Sequence, residues 1–161
     1  MWPALALLAL VTLERLFELV YASANTRRLL AAGGHEVAAG HYSLIVGVHA
    51  TWLLSLWLLA PGQPIRVPFL ALFLIVELGR IWVLQTLGRR WTTRIIVVPG
   101  EQLVTGGPYR FVDHPNYLVV VAEIALFPLV FGLWQVALIF SLLNAAVLAV
   151  RIQAENRALG R

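Results

Sequence analysis

The sequence contains no cysteine, no lysine and only eight acidic residues among its 161 positions. Without cysteine the chain can form no disulfide, offer no thiol nucleophile and bind no metal through sulfur. Charged residues of both signs make up only 12% of it, about half of their share in soluble domains. This scarcity of charge argues against an ordinary soluble domain.

Apolar residues take the place of the missing charge. They form 60% of the chain, and the mean hydropathy is +0.83, whereas soluble domains are roughly 45 to 50% apolar. All 12 basic residues are arginine, and they lie between apolar segments instead of on a separate basic face. We therefore predict an integral membrane protein of one domain, residues 1–161, with membrane lipids and no nucleic acid as partners.

Five apolar segments predict an all-α fold with five transmembrane helices, because each segment approaches the length that crosses a hydrocarbon core of about 30 Å. The expected scaffold helices are residues 2–24, 41–60 and 67–87. The remaining unit, 88–156, consists of a loop at 88–113 and a helical hairpin with spans at 115–131 and 134–150. Gly33 and Gly34 are expected to interrupt helix in the first loop, and Pro61 and Pro64 to end the second span.

Arginine is concentrated at one end of this arrangement. The loops at 25–40 and 88–113 and the C-terminal tail hold nine arginines, whereas the turn at 61–66 holds only Arg66. Because cytoplasmic loops are enriched in arginine, we predict that the N-terminus is outside and the C-terminus cytoplasmic.

A few polar residues interrupt the apolar spans. Glu14, Arg15 and Glu18 are expected to face the bundle interior or an interface, where the two glutamates pair with arginine, since charge within a bilayer is costly. The alternative is that they line a polar pocket. Glu77 and Arg80 are three residues apart and are predicted to form an ion pair within their helix. His49 is expected to be a hydrogen-bonded interior residue, because no second histidine lies at i+4 to complete a metal site.

Two polar clusters flank the last two spans, GPYRFVDHPNYL at 107–118 and RIQAEN at 151–156. His114 and Tyr117 share a face at the start of a helix, and Asn144, Arg151 and Glu155 share a face of the next one. Hydrogen-bond donors that can bind an anion, aromatic rings and a carboxylate together suit a zwitterionic amino-acid group beside a cation. The alternative is an interfacial belt whose polar residues only cap helices and snorkel.

These two clusters resemble the isoprenylcysteine carboxyl methyltransferase family over roughly residues 85–160. The first half is similar to its bacterial branch that methylates alkylresorcinols and alkylpyrones, through LERLFELV, GHYSLIVGVHATWLL and LGRRWTTRIIVVPG. The resemblance implies an S-adenosyl-L-methionine-dependent O-methyltransferase whose cofactor site is cytoplasmic. Its acceptor would be a lipophilic molecule from the bilayer, either an alkylresorcinol or alkylpyrone hydroxyl or a prenylcysteine carboxylate.

The resemblance also implies site residues by motif position. Cofactor contacts would be Arg94, Glu101, Gln102, Leu103, Val104, Tyr109, His114, Pro115, Asn116, Tyr117 and Glu155. Arg151 would be a catalytic residue on the substrate side, with Asn144 on the same helix face, and His114 would be the base for a hydroxyl acceptor. Asp113 and Asn156 depart from the family pattern, which has arginine and a second acidic residue there.

Two other classes of function remain open from the sequence. Sterol reductases that bind NADPH share the His-Pro-Asn-Tyr motif, but they have an acidic residue at the position of Val119. A non-enzymatic membrane scaffold is the other possibility, although two matched polar clusters argue against it. Thermal stabilisation by S-adenosylhomocysteine or by NADPH would separate these three classes.

Overall fold

Five α-helices account for most of the residues that the computed structural model describes, which are 2–160. They are α1 (Trp2–Ala31), α2 (Tyr42–Leu59), α3 (Val67–Leu87), α4 (Pro115–Val130) and α5 (Trp134–Leu159). Short 3₁₀ helices lie at Ala39–His41, Gly88–Arg90 and Gly107–Arg110. The all-α prediction needs one small correction, because β1 (His35–Glu36) and β2 (Ile96–Val97) pair as antiparallel two-residue strands. Met1 and Arg161 of the predicted domain lie outside the described residues.

The predicted limits of the third helix are confirmed, whereas α1 is longer than expected. It continues past residue 24 to Ala31 and stops before Gly33, whose φ is +90°. The added turns carry polar residues that bind the 88–113 loop. Asn25 is buried and donates to the Trp91 carbonyl at 2.8 Å, and Arg28 donates to the Arg89 carbonyl. These polar residues predicted a loop in the sequence, but in the structure they attach the end of α1 to the 88–113 loop.

The last helix also exceeds its prediction, since α5 runs past residue 150 to Leu159 and ends before Gly160 in the left-handed conformation. The RIQAEN cluster is therefore helical throughout. Because the helix keeps 3.6 residues per turn, Glu155 continues the polar face of Asn144 and Arg151 toward the loops.

The main core lies in the half of the bundle away from the 88–113 loop. Leu8, Leu56 and Phe127 are completely buried there, and the Phe73 and Phe127 rings stack with centroids 4.7 Å apart. We call the opposite end, where the loops at 32–41 and 88–113 meet, the loop end.

Within residues 2–160, three helical segments are long and apolar enough to cross a membrane, at Ala39–Leu59, Val67–Arg90 and Trp134–Ala158. Large apolar side chains such as Val20 and Leu58 are 70% and 72% exposed, as expected for surfaces that face lipid. The chain is an integral membrane protein. A count of five spans remains a prediction, because α1 carries five charged residues and α4 has only 16 residues.

The buried charges pair between helices. Arg80, which is 3% exposed, donates to Glu18 of α1 at 3.1 Å and to both carboxylate oxygens of Glu123 of α4. Arg15 lies 3.1 Å from Glu18 and 3.7 Å from Glu77. The predicted pair between Glu77 and Arg80 is therefore wrong, because carboxylates on two neighbouring helices surround the guanidinium. The expectation of an interior glutamate paired with arginine is confirmed for Glu18, which is buried and contacts both Arg15 and Arg80.

The orientation of the chain can be tested by reporter fusions. The arginine distribution predicts that fusions at Gly33, at Gly100 and after the C-terminus report cytoplasm, while a fusion at Gln63 reports the outside. An alkaline phosphatase and green fluorescent protein pair would measure both sides. Any of the four on the opposite side would contradict the five-span topology.

Candidate active site

Two cavities meet at the loop end of the bundle. The loop cavity, of about 200 Å³, lies between the 88–113 loop and the loop-end turns of α4 and α5. The bundle cavity, of about 300 Å³, lies deeper between the helices. Five residues line both cavities and so form their junction: Trp91, Thr92, Asn116, Tyr117 and Arg151.

The roof of the loop cavity is tied down on two sides. On one side the β1–β2 pair joins the loop to the segment after α1, and Arg94 bonds to Glu36 at 2.8 Å. On the other side Arg90 lies 2.8 Å from the Glu101 carboxylate and donates to the Gln102 carbonyl at 2.8 Å. The irregular segment at 98–106 is thereby held over the ends of α4 and α5.

Gly107 sets the approach to α4. It has a φ of +55°, and a Cβ there would collide with the Thr86 side chain, so the turn requires glycine. Proline at 115 then opens the helix, where its missing N–H costs no hydrogen bond. His114 and Tyr117 follow one another on the loop-cavity side, with ring centroids 5.2 Å apart.

Tyr117 is the centre of a polar chain between α4 and α5. Tyr117 is 9% exposed, and its hydroxyl donates to the Glu155 carboxylate. The same hydroxyl oxygen of Tyr117 accepts a hydrogen bond from Arg151 Nε at 2.9 Å. His114 Nε2 lies 2.9 Å from Asn156 Oδ1, and His114 Nδ1 lies 3.5 Å from the Glu155 carboxylate. The position that departs from the family pattern, Asn156, thus holds the histidine ring.

The structure brings the residues predicted for the cofactor together. Ten of the eleven line the loop cavity: Arg94, Glu101, Gln102, Leu103, Val104, Tyr109, His114, Asn116, Tyr117 and Glu155. Pro115 does not line it and instead starts α4 in a buried position. Arg151 lines both cavities, while Asn144 lines only the bundle cavity.

Trp91 is a site residue that the sequence interpretation missed. Its side chain is 3% exposed and stands at the junction, and its indole N–H has no hydrogen-bond partner among the described residues. The carboxamide oxygen of Asn116 is also buried without a donor there. A tryptophan between two arginine-rich stretches is the signal in the sequence, but it equally suits a membrane interface.

The wall of the bundle cavity is mostly apolar, with one polar belt. The apolar part includes Leu16, Leu19, Val46 and Leu148. The belt consists of Arg15, Glu18, His49, Arg80 and Asn144, from four helices. As expected, His49 is hydrogen-bonded, since its Nδ1 lies 2.9 Å from the Ile45 carbonyl. Such a cavity suits an amphiphile, which would place its apolar chain along the helices.

Comparison with known proteins covers the part of the chain that forms this site. The sequence model of the Isoprenylcysteine carboxyl methyltransferase (ICMT) family matches residues 69–161. The chain is 39% identical over 158 residues to the uncharacterized protein YpbQ of Bacillus subtilis (strain 168), which covers 95% of this chain and 94% of that protein. No solved structure matches the chain. The family match contains the 88–113 loop, α4 and α5, which supply most of the loop-cavity wall.

Proposed function

Because this chain belongs to the isoprenylcysteine carboxyl methyltransferase family, we propose that the loop cavity binds S-adenosyl-L-methionine and that the bundle cavity binds the lipid that receives the methyl group. Methyltransferases of this family use S-adenosyl-L-methionine, so the family and the cofactor predicted from the two motifs are confirmed. The site assignments and the acceptor are the proposal.

The residues of the loop cavity fit this cofactor. Asn116 has a buried oxygen that receives no donor from the described residues, and an amino group of the cofactor would supply one. Glu155 can bind an ammonium group, and Arg94 at the roof can bind a carboxylate. Tyr109 and Tyr117 offer aromatic rings, which stabilise an onium centre. Every charged part of the cofactor therefore has a complementary side chain in this wall.

The junction of the two cavities is the observation that carries the proposal. Tyr117, Asn116 and Arg151 each face both spaces, so a cofactor above and a lipid below would meet beside them. Bound S-adenosyl-L-methionine supplies an electrophilic methyl group on its sulfonium sulfur and leaves as a thioether. Alignment of the two reactants is then the main task of the protein.

Arg151 is proposed to hold the accepting oxygen. The Arg151 side chain is 7% exposed and makes one hydrogen bond to the described residues, with Tyr117, so further guanidinium donors remain for an anionic oxygen. A nearby positive charge favours the ionised form of a hydroxyl or a carboxylate. Asn144 lies deeper in the same cavity and is proposed to contact the acceptor there.

A hydroxyl acceptor must also lose a proton, and the polar chain provides a route for it. The acceptor proton passes to the Tyr117 oxygen as Tyr117 gives its own proton to Glu155, and His114 is 3.5 Å from that carboxylate. His114 thus serves as the base through two intervening groups. A carboxylate acceptor is already ionised near neutral pH and needs no such transfer.

The proposal is tested with labelled S-adenosyl-L-methionine and purified protein in detergent. The panel contains alkylresorcinols, alkylpyrones and prenylcysteines, and label transfer to a lipid is the readout. For a hydroxyl acceptor the rate should rise between pH 6 and 8, because deprotonation becomes easier; for a carboxylate it should stay flat. Stabilisation by NADPH and not by S-adenosylhomocysteine would contradict the proposal.

Glu155→Gln should weaken binding of S-adenosylhomocysteine in calorimetry, since it removes the negative charge beside the cofactor. A lost charge-assisted contact costs roughly 1.5 to 3 kcal/mol, which is about 10- to 150-fold in affinity. Glu77→Gln is the matched control, because Glu77 lines neither cavity. Equal affinities of the two variants would remove Glu155 from the cofactor site.

A further inference from the structure

The polar belt of the bundle cavity contains two neutral groups with unused hydrogen-bonding capacity, in addition to the buried Nε of Arg15, which has no partner among the described residues. The charged members are engaged with one another, since Arg80 binds Glu18 and Glu123 and Arg15 also lies against Glu18. The neutral members differ from them. Asn144 is 4% exposed, yet its carboxamide makes no hydrogen bond to any described residue.

His49 is the second such group. Its Nδ1 faces the carbonyl of Ile45 at 2.9 Å, and because a carbonyl only accepts, Nδ1 carries the proton of the neutral ring. Nε2 is then an acceptor, and it makes no hydrogen bond within the described part of the chain. A donor in the bundle cavity would complete it.

The two groups line the same cavity from packed helices. α2 and α5 contact each other along the cavity. His49 is seven residues into the bundle from Tyr42, and Asn144 is seven residues into it from Arg151, which is about 10 Å in each helix. Side chains on a helix generally lean toward its N-terminus, which for Arg151 is the direction of Asn144.

We propose that His49 and Asn144 form a subsite for a second hydroxyl group of the acceptor lipid, one that is not methylated. This inference rests on the proposed function and adds a determinant of acceptor choice. A hydroxyl both donates and accepts, so it can donate to His49 Nε2 and accept from the Asn144 amide. A carboxylate or carbonyl has no proton for His49, and an aliphatic chain would leave both groups unpaired in an apolar wall.

Two lipids that differ by one hydroxyl test the subsite, namely 5-pentadecylresorcinol and 3-pentadecylphenol. Wild-type protein should bind the resorcinol about tenfold or more tightly than the phenol, which is the contribution to affinity of two neutral hydrogen bonds. His49→Leu and Asn144→Leu should each reduce the preference several-fold, while His49→Gln, which restores an acceptor, should recover part of it. Thr51→Val is the control on α2, because Thr51 is exposed and bonds only to its own helix.

Binding and turnover are measured separately so that the two proposals can fail separately. Quenching of tryptophan fluorescence reports binding, because Trp52 and Trp91 line the bundle cavity, and labelled cofactor reports methylation. Preferential binding of the resorcinol without methylation of either lipid would sink the proposed function and support the subsite. A wild-type preference near one, or one that both leucine variants leave unchanged, overturns the subsite even if both lipids are methylated.

Discussion

Tyr117→Phe is expected to lower the turnover of a hydroxyl acceptor by roughly 100- to 10,000-fold, the usual contribution of a positioned proton-transfer group. The substitution keeps the ring that stacks on His114 and removes only the oxygen that joins Arg151 to Glu155. Without that oxygen the acceptor proton has no path to the carboxylate, and the Arg151 guanidinium loses its anchor.

The acceptor decides how large the effect is. A prenylcysteine carboxylate has no proton to lose at neutral pH. With that acceptor Tyr117→Phe should lose only the part of the turnover that depends on the alignment of Arg151. Steady-state rates on both acceptors, together with calorimetry of S-adenosylhomocysteine, separate the two effects. Tyr21→Phe is the control, since Tyr21 packs against Trp91 and lines neither cavity. Wild-type turnover of a hydroxyl acceptor in Tyr117→Phe would exclude the proton route.

Arg80→Met should lower the free energy of unfolding by about 3 to 5 kcal/mol, because it leaves buried carboxylates without their main partner. Arg80 holds Glu18 and Glu123 between three helices, and Arg15 alone would remain for both. Methionine fills most of the volume of the lost side chain, so the effect is electrostatic. Denaturation in mixed micelles measures it.

A double-mutant cycle distinguishes this effect from lost packing. Arg80→Met combined with Glu123→Gln should be less destabilised than the sum of the single variants, since the second change removes one unpaired charge. Arg27→Met is the matched control at an exposed arginine, expected to change stability by no more than about 0.5 kcal/mol. Additive effects in the cycle, or unchanged stability of Arg80→Met, would show that the pair contributes nothing.

The helices themselves were accessible from the sequence because their signals are local. The third helix begins beside Pro68 and ends before Gly88, and its predicted limits are those observed. The first helix was predicted too short because Asn25 and Arg28 are polar. Their partners, the carbonyls of Trp91 and Arg89, are more than 60 residues away in the sequence. A local sequence pattern cannot indicate that such distant carbonyls will lie beside the helix end.

The candidate site shows the same division. The motifs around His114 and Arg151 could be identified in the sequence, and periodicity placed Asn144, Arg151 and Glu155 on one helix face. The meeting of two cavities at Tyr117 could not be derived, and neither could the place of Trp91 between them. A cavity is the space that several packed segments leave, so its walls come from residues that no spacing rule connects.

The sequence by itself determined the membrane class, the apolar helices and the polar residues available for chemistry, because these depend on composition and on a repeat of 3.6 residues. Only the tertiary structure decided which polar residues meet. Arg80 had Glu77 one turn away, yet it binds Glu18 and Glu123, which are 62 and 43 residues distant. Burial decides this choice, because a guanidinium removed from water must be paired by the carboxylates that the neighbouring helices bring to it.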